Sequence, residues 1–192
     1  KIGDTVVVMG IGPIGLMAVE GARHLGAARI IAVGSRPVCV KLAREFGASE
    51  VISYRDGDVV QQVLEKTGGV GADSVILCGG GDEVFTQAVV MVRYGTGTIS
   101  NVNYYGGTGC LGFPKFSGGR GMAGKTIHTE LAKGGRARIE RLLAMVKYGR
   151  IDPQKLVTHH LYGLDKVEDA LYMMKEKADD LVKVMVKIDW KD

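Results

Sequence analysis

The stretch TVVVMGIGPIG (Thr5–Gly15) decides the fold class. Its first five residues form a continuous apolar run rich in β-branched side chains, which is typical of a strand buried on both faces. The run leads into the pattern G-x-G-x-x-G, and apolar residues at helical spacing then continue to Leu25, where Gly26 ends the predicted helix. A strand, a glycine-rich turn and a helix in this order are the context in which the pattern binds a dinucleotide.

The glycines of this turn have distinct physical roles. Gly10 permits the tight turn, Gly12 lacks the Cβ that would obstruct a pyrophosphate, and Gly15 lets the helix pack close to the strand. The free N–H groups at the start of the helix favour an anion. The alternative interpretation is a strand–helix turn that is rich in glycine without binding anything. We predict that the whole turn contacts a cofactor: Gly10, Ile11, Gly12, Pro13, Ile14 and Gly15.

Strand-like and helix-like patterns alternate along the next hundred residues. Strands are predicted at 30–33, 50–53, 74–78, 98–102 and 126–131, and helices at 37–46, 59–65 and 84–92. Parallel neighbours need crossover helices, so six strand-like runs alternating with helices predict an α/β fold with a Rossmann-type doubly wound parallel sheet over residues 1–131.

Residues 132–192 have a different character. Helices are predicted at 138–148 and 166–175, and strands at 157–161 and 182–188. We expect an α+β appendage that either caps the sheet or belongs to a neighbouring domain. Before it, residues 106–124 are rich in glycine and read as a long loop, of the kind that is often functional or packs on a partner.

The end of the second strand indicates which dinucleotide is bound. An NAD site normally has an acidic residue here to bind both ribose hydroxyls, whereas this chain has Gly34, Ser35 and Arg36. A small residue, a hydroxyl and a planar cation suit a 2′-phosphate, which a carboxylate would repel. We therefore predict NADP(H), with Tyr54 after the third strand packing on the adenine or reaching the phosphate. For Arg36 the alternative is a solvated arginine at the start of a loop. For Tyr54 it is an aromatic residue at the edge of the fold without a ligand.

Two further segments follow the fourth and fifth strands, at the edge where an open sheet binds ligands. They are 78–81, with three consecutive glycines, and 101–104, with Asn103 and Tyr104. Their backbone groups either bind the nicotinamide half of the cofactor or form ordinary turns.

Composition and motifs exclude several other classes. The net charge of +4 fits an anionic ligand without requiring nucleic acid, and no apolar run reaches the roughly 18 residues of a membrane span. Three distant cysteines and the lack of a signal peptide predict a reducing, cytoplasmic location. His and Cys residues have no familiar ligand spacing, so we expect no metal site. A P-loop-like pattern at 119–126 is discounted because β-like residues follow it.

Five segments resemble a known family, the medium-chain zinc-dependent alcohol dehydrogenases, and within it the NADP-dependent secondary-alcohol dehydrogenases. They are KIGDT at 1–5, GIGPIGLM at 10–17, VGSRP at 33–37, NVNY at 101–104 and KLVTH at 155–159. The resemblance runs over essentially the whole chain, from Lys1 to about Ile188.

The resemblance implies that this chain binds the cofactor and that another domain binds the zinc. In this branch the residues matching Gly34, Ser35, Arg36 and Tyr54 bind the 2′-phosphate. Those matching Asn103 and Tyr104 lie by the nicotinamide, and the one matching Lys183 lies near the cofactor phosphates. A GroES-like catalytic domain precedes this segment in the family and supplies the zinc ligands, so no catalytic residue is expected within this chain. Residues from 132 onward are expected to pack on that domain.

The intact protein would then interconvert a secondary alcohol and a ketone with NADP(H), as a homotetramer by family resemblance. This chain begins at Lys1 without Met, and we expect a piece of a longer protein that is not catalytic alone. The alternatives are a zinc-free quinone-type reductase of the same superfamily and a non-enzymatic dinucleotide-binding module.

Overall fold

A central six-stranded parallel sheet dominates the computed structural model, which describes residues 1–106, 108–114 and 123–188. Its strands are β1 (Thr5–Met9), β2 (Arg29–Val33), β3 (Glu50–Ile52), β4 (Ser74–Leu77), β5 (Thr98–Asn101) and β6 (Thr126–Thr129). They lie in the order β3-β2-β1-β4-β5-β6, and all neighbours are parallel. This is the doubly wound order of a Rossmann sheet. The predicted fold class is confirmed.

Helices cover both faces of this sheet. They are α1 (Pro13–His24), α2 (Pro37–Glu45), α3 (Val59–Lys66) and α4 (Glu83–Met91). Val6 and Val8 pack in one core with α1 and α2, whereas Val7 and Met9 pack in the other with α3 and α4. Successive residues of a strand face opposite sides, so a centre strand covered on both faces requires the continuous apolar run seen in the sequence.

The helix and strand predictions agree with the structure to within two residues at the ends of these elements. Proline at the first turn of α1 and of α2 helps to define where each helix begins, because its fixed φ suits that position. Asp58 defines the start of α3, since its carboxylate accepts a hydrogen bond from the Gln61 amide at 2.8 Å.

The C-terminal part forms a second, smaller unit. It contains α5 (Arg136–Lys147), β7 (Val157–Tyr162), α6 (Val167–Glu176) and β8 (Lys183–Lys187), with 3-10 turns at Pro153–Leu156 and Leu164–Lys166. The strands β7 and β8 make their own two-stranded parallel sheet, and α6 is the crossover between them. The sequence patterns located these elements without predicting that the two strands would pair in parallel.

The end of this unit packs against the six-stranded sheet and its helices. Leu156 and Val182 are buried in the core that contains α1 and α2. The Val38 amide, in the first turn of α2, donates a hydrogen bond to the Asp179 carbonyl at 3.2 Å. Helix α5, by contrast, buries none of its side chains within the part of the chain that the structure describes.

The fold bears on membrane-spanning helices and on the P-loop-like pattern at 119–126. In the ranges that the structure describes, no helix is long and apolar enough to cross a membrane. Residues 119–122 of the P-loop-like pattern lie outside the described residues, and Thr126 begins strand β6, where a P-loop would continue as a helix.

Candidate dinucleotide-binding site

A cleft of about 690 Å³ opens at the carboxyl ends of β1, β2 and β4. Strand order reverses between β1 and β4, so the loops that follow these strands diverge and leave a crevice between them. The two loops meet at the base of this crevice, where a Cβ placed on Gly10 would lie 2.9 Å from Gly79 Cα. Most of the predicted cofactor contacts line this cleft: Gly10, Ile11, Gly12, Pro13, Gly34, Ser35, Arg36 and Tyr54.

The start of helix α1 faces the cleft without a side-chain cap. Gly12 is the N-cap residue, and no side chain accepts a hydrogen bond from the first turn. The amides of Ile14 and Gly15 have no intrahelical carbonyl, because the first turn of any helix lacks these partners. The helix start is therefore suited to bind an anion.

The glycines of the turn divide into packing and clearance roles. A Cβ on Gly15 would lie 1.8 Å from the Gly10 carbonyl oxygen, so only glycine allows α1 to approach the end of β1 so closely. A Cβ on Gly12 would meet no atom within 4 Å, and Gly12 lines the cleft. Its missing side chain leaves space in the cleft itself, as the pyrophosphate prediction requires.

Ser35 and Arg36 supply polar groups at the end of β2. The Ser35 hydroxyl is buried and has no hydrogen-bond partner among the residues that the structure describes. An unsatisfied buried hydroxyl costs about 1–3 kcal/mol, which a ligand oxygen would offset. Arg36 donates one hydrogen bond from Nη1 to the Leu181 carbonyl at 2.5 Å, and a guanidinium has further N–H groups to donate. These two residues fit a phosphate group.

Gly34 lies against the side chain of Ile11. A Cβ on Gly34 would lie 2.2 Å from Cγ1 of Ile11, which is buried. The place of Gly34 beside a 2′-phosphate stays a prediction. Gly34 lines the cleft, and the space beside its α-carbon is filled by the Ile11 side chain.

Comparison with known sequences decides the family. Residues 13–128 match the family described as zinc-binding dehydrogenase. The chain belongs to this family. It is 50% identical over 192 residues to an NADP-dependent isopropanol dehydrogenase of Entamoeba histolytica, covering 100% of this chain and 52% of that protein. A relative with the same name from Thermoanaerobacter brockii is 50% identical over 186 residues, which cover 97% of this chain and 53% of the relative.

Solved structures of alcohol dehydrogenases share the fold. The chain is 31% identical to an alcohol dehydrogenase from Thermus sp. ATN1, with a TM-score of 0.81 over 98% of this chain and 52% of that one. A zinc-dependent alcohol dehydrogenase 2 from Streptococcus pneumonia, in its apo form, gives a TM-score of 0.87 at 25% identity over 100% of this chain and 54% of that one. The chain thus spans about half the length of the relatives that it matches.

The residues expected by family resemblance to lie near the nicotinamide and the phosphates are not among those that line the cleft. Asn103 Nδ2 donates a hydrogen bond at 3.1 Å to the carbonyl of Gly80, which is a residue that lines the cleft. Tyr104 is 90% exposed. Of the predicted turn residues, Ile14 and Gly15 are also not among those that line the cleft. Lys183 begins β8 with an exposed side chain. Their contacts with a cofactor stay predictions.

The two cysteine thiols of the cleft are held in their neutral form. Burial raises the pKa of Cys78 to about 12. Burial also raises the pKa of Cys39, and the opposing effect of Arg36 is smaller. A thiol must lose its proton to act as a nucleophile or a zinc ligand. Among the residues that the structure describes, no three His, Cys, Asp or Glu side chains are grouped so that they fit a metal ion.

Several residues that line the cleft were not predicted from the sequence. They are Arg55, Glu83, Gln87, Met174, Lys177 and Asp179. Arg55 directly follows the predicted Tyr54, so its position was the one sequence signal available. The last three come from the C-terminal unit and reach the cleft only through its packing against α2.

Proposed function

We propose that this chain is the NADP(H)-binding part of a zinc-dependent secondary-alcohol dehydrogenase. The intact protein would convert a secondary alcohol and NADP to a ketone and NADPH, and the reverse. The observation that carries the cofactor assignment is the buried Ser35 hydroxyl beside Arg36 at the end of β2, which has no hydrogen-bond partner in the described part of the chain. The names of the relatives at 50% identity support the same cofactor and substrate class.

The cofactor would lie along the carboxyl ends of the strands. The free amides at the start of α1 would bind the pyrophosphate, with Gly12 leaving space for it. Ser35, Arg36 and Tyr54 would bind the adenosine with its 2′-phosphate. The other end, beside Asn103 and Tyr104, would hold the nicotinamide, which accepts or donates the hydride when bound.

The metal is proposed to be bound by residues outside this chain. The described residues do not fit a zinc site, and the chain spans about half the length of its relatives. We propose that the missing half of the intact protein supplies the zinc ligands. Exposed Ile139, Leu142 and Leu143 on α5 would pack against that half. A cytoplasmic homotetramer for the intact protein is part of the same proposal.

Two measurements on the purified chain test the two parts of this proposal. Titrations with NADPH and NADH, followed by cofactor fluorescence, should give an NADPH affinity about 10- to 100-fold higher, since a charged hydrogen bond contributes about 1.5–3 kcal/mol. Equal affinities would refute the NADP assignment. Incubation with zinc, NADP and 2-propanol should produce no NADPH, and turnover would refute the proposed inactivity of the chain alone.

The open reading frame around this segment tests the zinc assignment. Cys and His residues with metal-ligand spacing upstream of Lys1 would support a zinc-dependent alcohol dehydrogenase. A preceding domain that lacks such residues would favour a zinc-free reductase. An open reading frame that encodes nothing before this segment would favour a dinucleotide-binding module.

A further inference from the structure

Side-chain hydrogen bonds join the two loops that follow β4 and β5. Asn101 is the last residue of β5, and its Oδ1 accepts a hydrogen bond from the Asn103 amide at 3.2 Å. Its Nδ2 donates to the Asn103 carbonyl at 3.3 Å. Asn103 in turn donates from its own Nδ2 to the carbonyl of Gly80, in the loop after β4, at 3.1 Å. The carboxamide of Asn101 therefore fixes the backbone of the residue that connects the two loops.

Asn101 provides hydrogen bonds at the point where the backbone ladder of the sheet ends. The Val102 amide still donates to the Leu77 carbonyl of β4 at 3.0 Å, and the chain leaves the sheet after it. Peptide groups beyond the end of a strand need other partners, and Asn side chains supply them to residues two positions further on. A carboxamide offers both a donor and an acceptor, so Asn101 can pair with the N–H and the C=O of Asn103 together.

The loop after β4 gains order from this arrangement. It contains three consecutive glycines, 79–81, and Gly80 lines the cleft. Glycine loses more conformational freedom on ordering than other residues do, and Gly80 has a φ of 112°, which other residues rarely adopt. The side chain of Asn103 holds the carbonyl of this residue in place. Asn101 thus influences the wall of the cleft, although it does not line the cleft itself.

The segment after β5 is also anchored beyond Asn103. Tyr105 packs against the core that contains α3 and α4. Tyr104 lies between these two anchored residues and is 90% exposed, so its side chain contributes little apolar burial to the fold. Contacts on both sides therefore fix the backbone at Tyr104, close to the loop that lines the cleft.

We propose that Asn101 is a positioning residue for the nicotinamide half of the cofactor. It acts through Asn103, by holding the loops after β4 and β5 together in the arrangement that accepts the nicotinamide. This inference rests on the proposed function, which puts the nicotinamide beside Asn103 and Tyr104. It assigns no contact with the cofactor to Asn101 itself, and it requires that the adenosine half binds without the help of Asn101.

Binding of NADPH and of 2′,5′-ADP to the Asn101→Ala chain tests this role, because 2′,5′-ADP carries the adenosine and the 2′-phosphate but no nicotinamide. Asn101→Ala removes both hydrogen bonds to Asn103, and we expect the NADPH Kd to rise about three- to tenfold. The Kd of 2′,5′-ADP should stay constant. The fluorescence maximum of bound NADPH should also move toward that of free NADPH, since the nicotinamide is held less firmly.

Two further variants separate positioning from a general loss of structure. Asn101→Ser keeps a hydroxyl that accepts from the Asn103 amide more weakly, so its NADPH Kd should lie between those of wild type and Asn101→Ala. Asp152→Ala is the matched control, because Asp152 Oδ1 accepts from the Gln154 amide at 3.2 Å, also two residues further on, and does not line the cleft. Asp152→Ala should lower the thermal unfolding midpoint about as much as Asn101→Ala does, and it should leave both Kd values unchanged.

The outcomes separate this inference from the proposed function. NADPH and NADH share the nicotinamide, so Asn101→Ala should weaken both by the same factor. An unchanged NADPH Kd, or an equal loss for NADPH and 2′,5′-ADP, would overturn the positioning role and leave the NADP assignment standing. Equal wild-type affinities for NADPH and NADH would overturn the NADP assignment, whereas the common factor in Asn101→Ala would still support the role of Asn101. The same comparison in Asn101→Ser decides if Asn101→Ala does not fold.

Discussion

Arg36 and Leu181 lie 145 residues apart in the sequence, and Nη1 of the arginine donates a hydrogen bond to the leucine carbonyl at 2.5 Å. This contact connects the end of β2 to the last segment before β8. A guanidinium has five N–H groups in a planar fork, so one donor can hold the C-terminal unit while others face the cleft. Docking of the C-terminal unit thereby fixes the orientation of the residue that we propose binds the 2′-phosphate.

Replacing Arg36 with Asp should weaken NADPH binding far more than NADH binding. The variant loses a charge-assisted hydrogen bond and places a carboxylate beside the phosphate, so NADPH affinity should fall at least about tenfold. Loss of the contact with Leu181 should lower the free energy of unfolding by about 0.5–1.5 kcal/mol. Fluorescence titrations with both cofactors and denaturant unfolding measure the two effects separately.

Arg36→Lys is the matched control, since it keeps the charge and removes the planar fork. Its loss of NADPH affinity should be smaller than that of Arg36→Asp. Equal losses for NADPH and NADH in Arg36→Asp would show that the residue does not recognise the 2′-phosphate.

Alanine substitution should weaken cofactor binding at Gly12 and should lower the stability of the fold at Gly15. Gly12 has a φ of −72°, which any residue adopts, and its Cβ would enter open space in the cleft. Gly12→Ala should therefore reduce affinity for NADPH and NADH alike, by about tenfold, or about 1.4 kcal/mol, at an unchanged unfolding midpoint. Cofactor titration and thermal unfolding of the same preparation test this expectation.

Gly15→Ala is the contrasting variant. Its Cβ would lie 1.8 Å from a backbone oxygen, and the helix must shift to accept it. Overpacking of this kind typically costs about 1–3 kcal/mol of folding free energy. If Gly12→Ala destabilised the fold as much as Gly15→Ala, the clearance role of Gly12 would be wrong.

The parts of the site that the sequence predicted are those built from consecutive residues. The turn after β1 and the Gly34–Arg36 segment lie within one strand–helix–strand unit, where the spacing of apolar residues and glycines determines the local structure. The sheet was predictable for the same reason, because alternating strands and helices leave few topologies open.

The remaining residues of the site depend on tertiary packing. Lys177 and Leu181 reach the cleft because β7, α6 and β8 form a unit whose end packs on α2, and no local pattern encodes that contact. The contact between Gly34 and the Ile11 side chain, which comes from the loop after β1, likewise depends on tertiary packing and not on a local pattern.

Gly34 and Ile11 should therefore be energetically coupled. Gly34→Ala forces its Cβ against Ile11 and should cost about 1–3 kcal/mol of stability. Ile11→Ala alone should cost about 2–5 kcal/mol, because it leaves a cavity in the core. In the double variant the new methyl group occupies part of that cavity, so the combined loss should be smaller than the sum of the single losses. A strictly additive result in denaturant unfolding would contradict this coupling.

Glu50 should give the chain a stabilising contribution that depends on pH. The carboxylate accepts hydrogen bonds from Lys66 Nζ at 2.7 Å and from Arg29 Nε at 2.7 Å, and these contacts join β2, β3 and α3. The bond from Lys66 is the largest effect that lowers the pKa of Glu50 below its ordinary value of 4.5, and Arg29 lowers it further. The folded state thus binds a proton at Glu50 more weakly than the unfolded state does.

For a carboxyl group with a lowered pKa, the stabilisation is complete above the unfolded value and is lost as the pH falls through the folded value. Glu50→Gln should therefore lower the free energy of unfolding by about 0.5–1 kcal/mol at pH 7, and the difference from wild type should shrink as the pH falls below about 4.5. Urea unfolding at a series of pH values measures both quantities. Glu130→Gln serves as the control, since Glu130 and its partner Lys133 are mostly exposed and 3.6 Å apart, and it should leave the unfolding free energy unchanged. A difference between Glu50→Gln and wild type that stayed constant down to pH 3 would show that the ion pairs of Glu50 do not stabilise the fold through its ionised form.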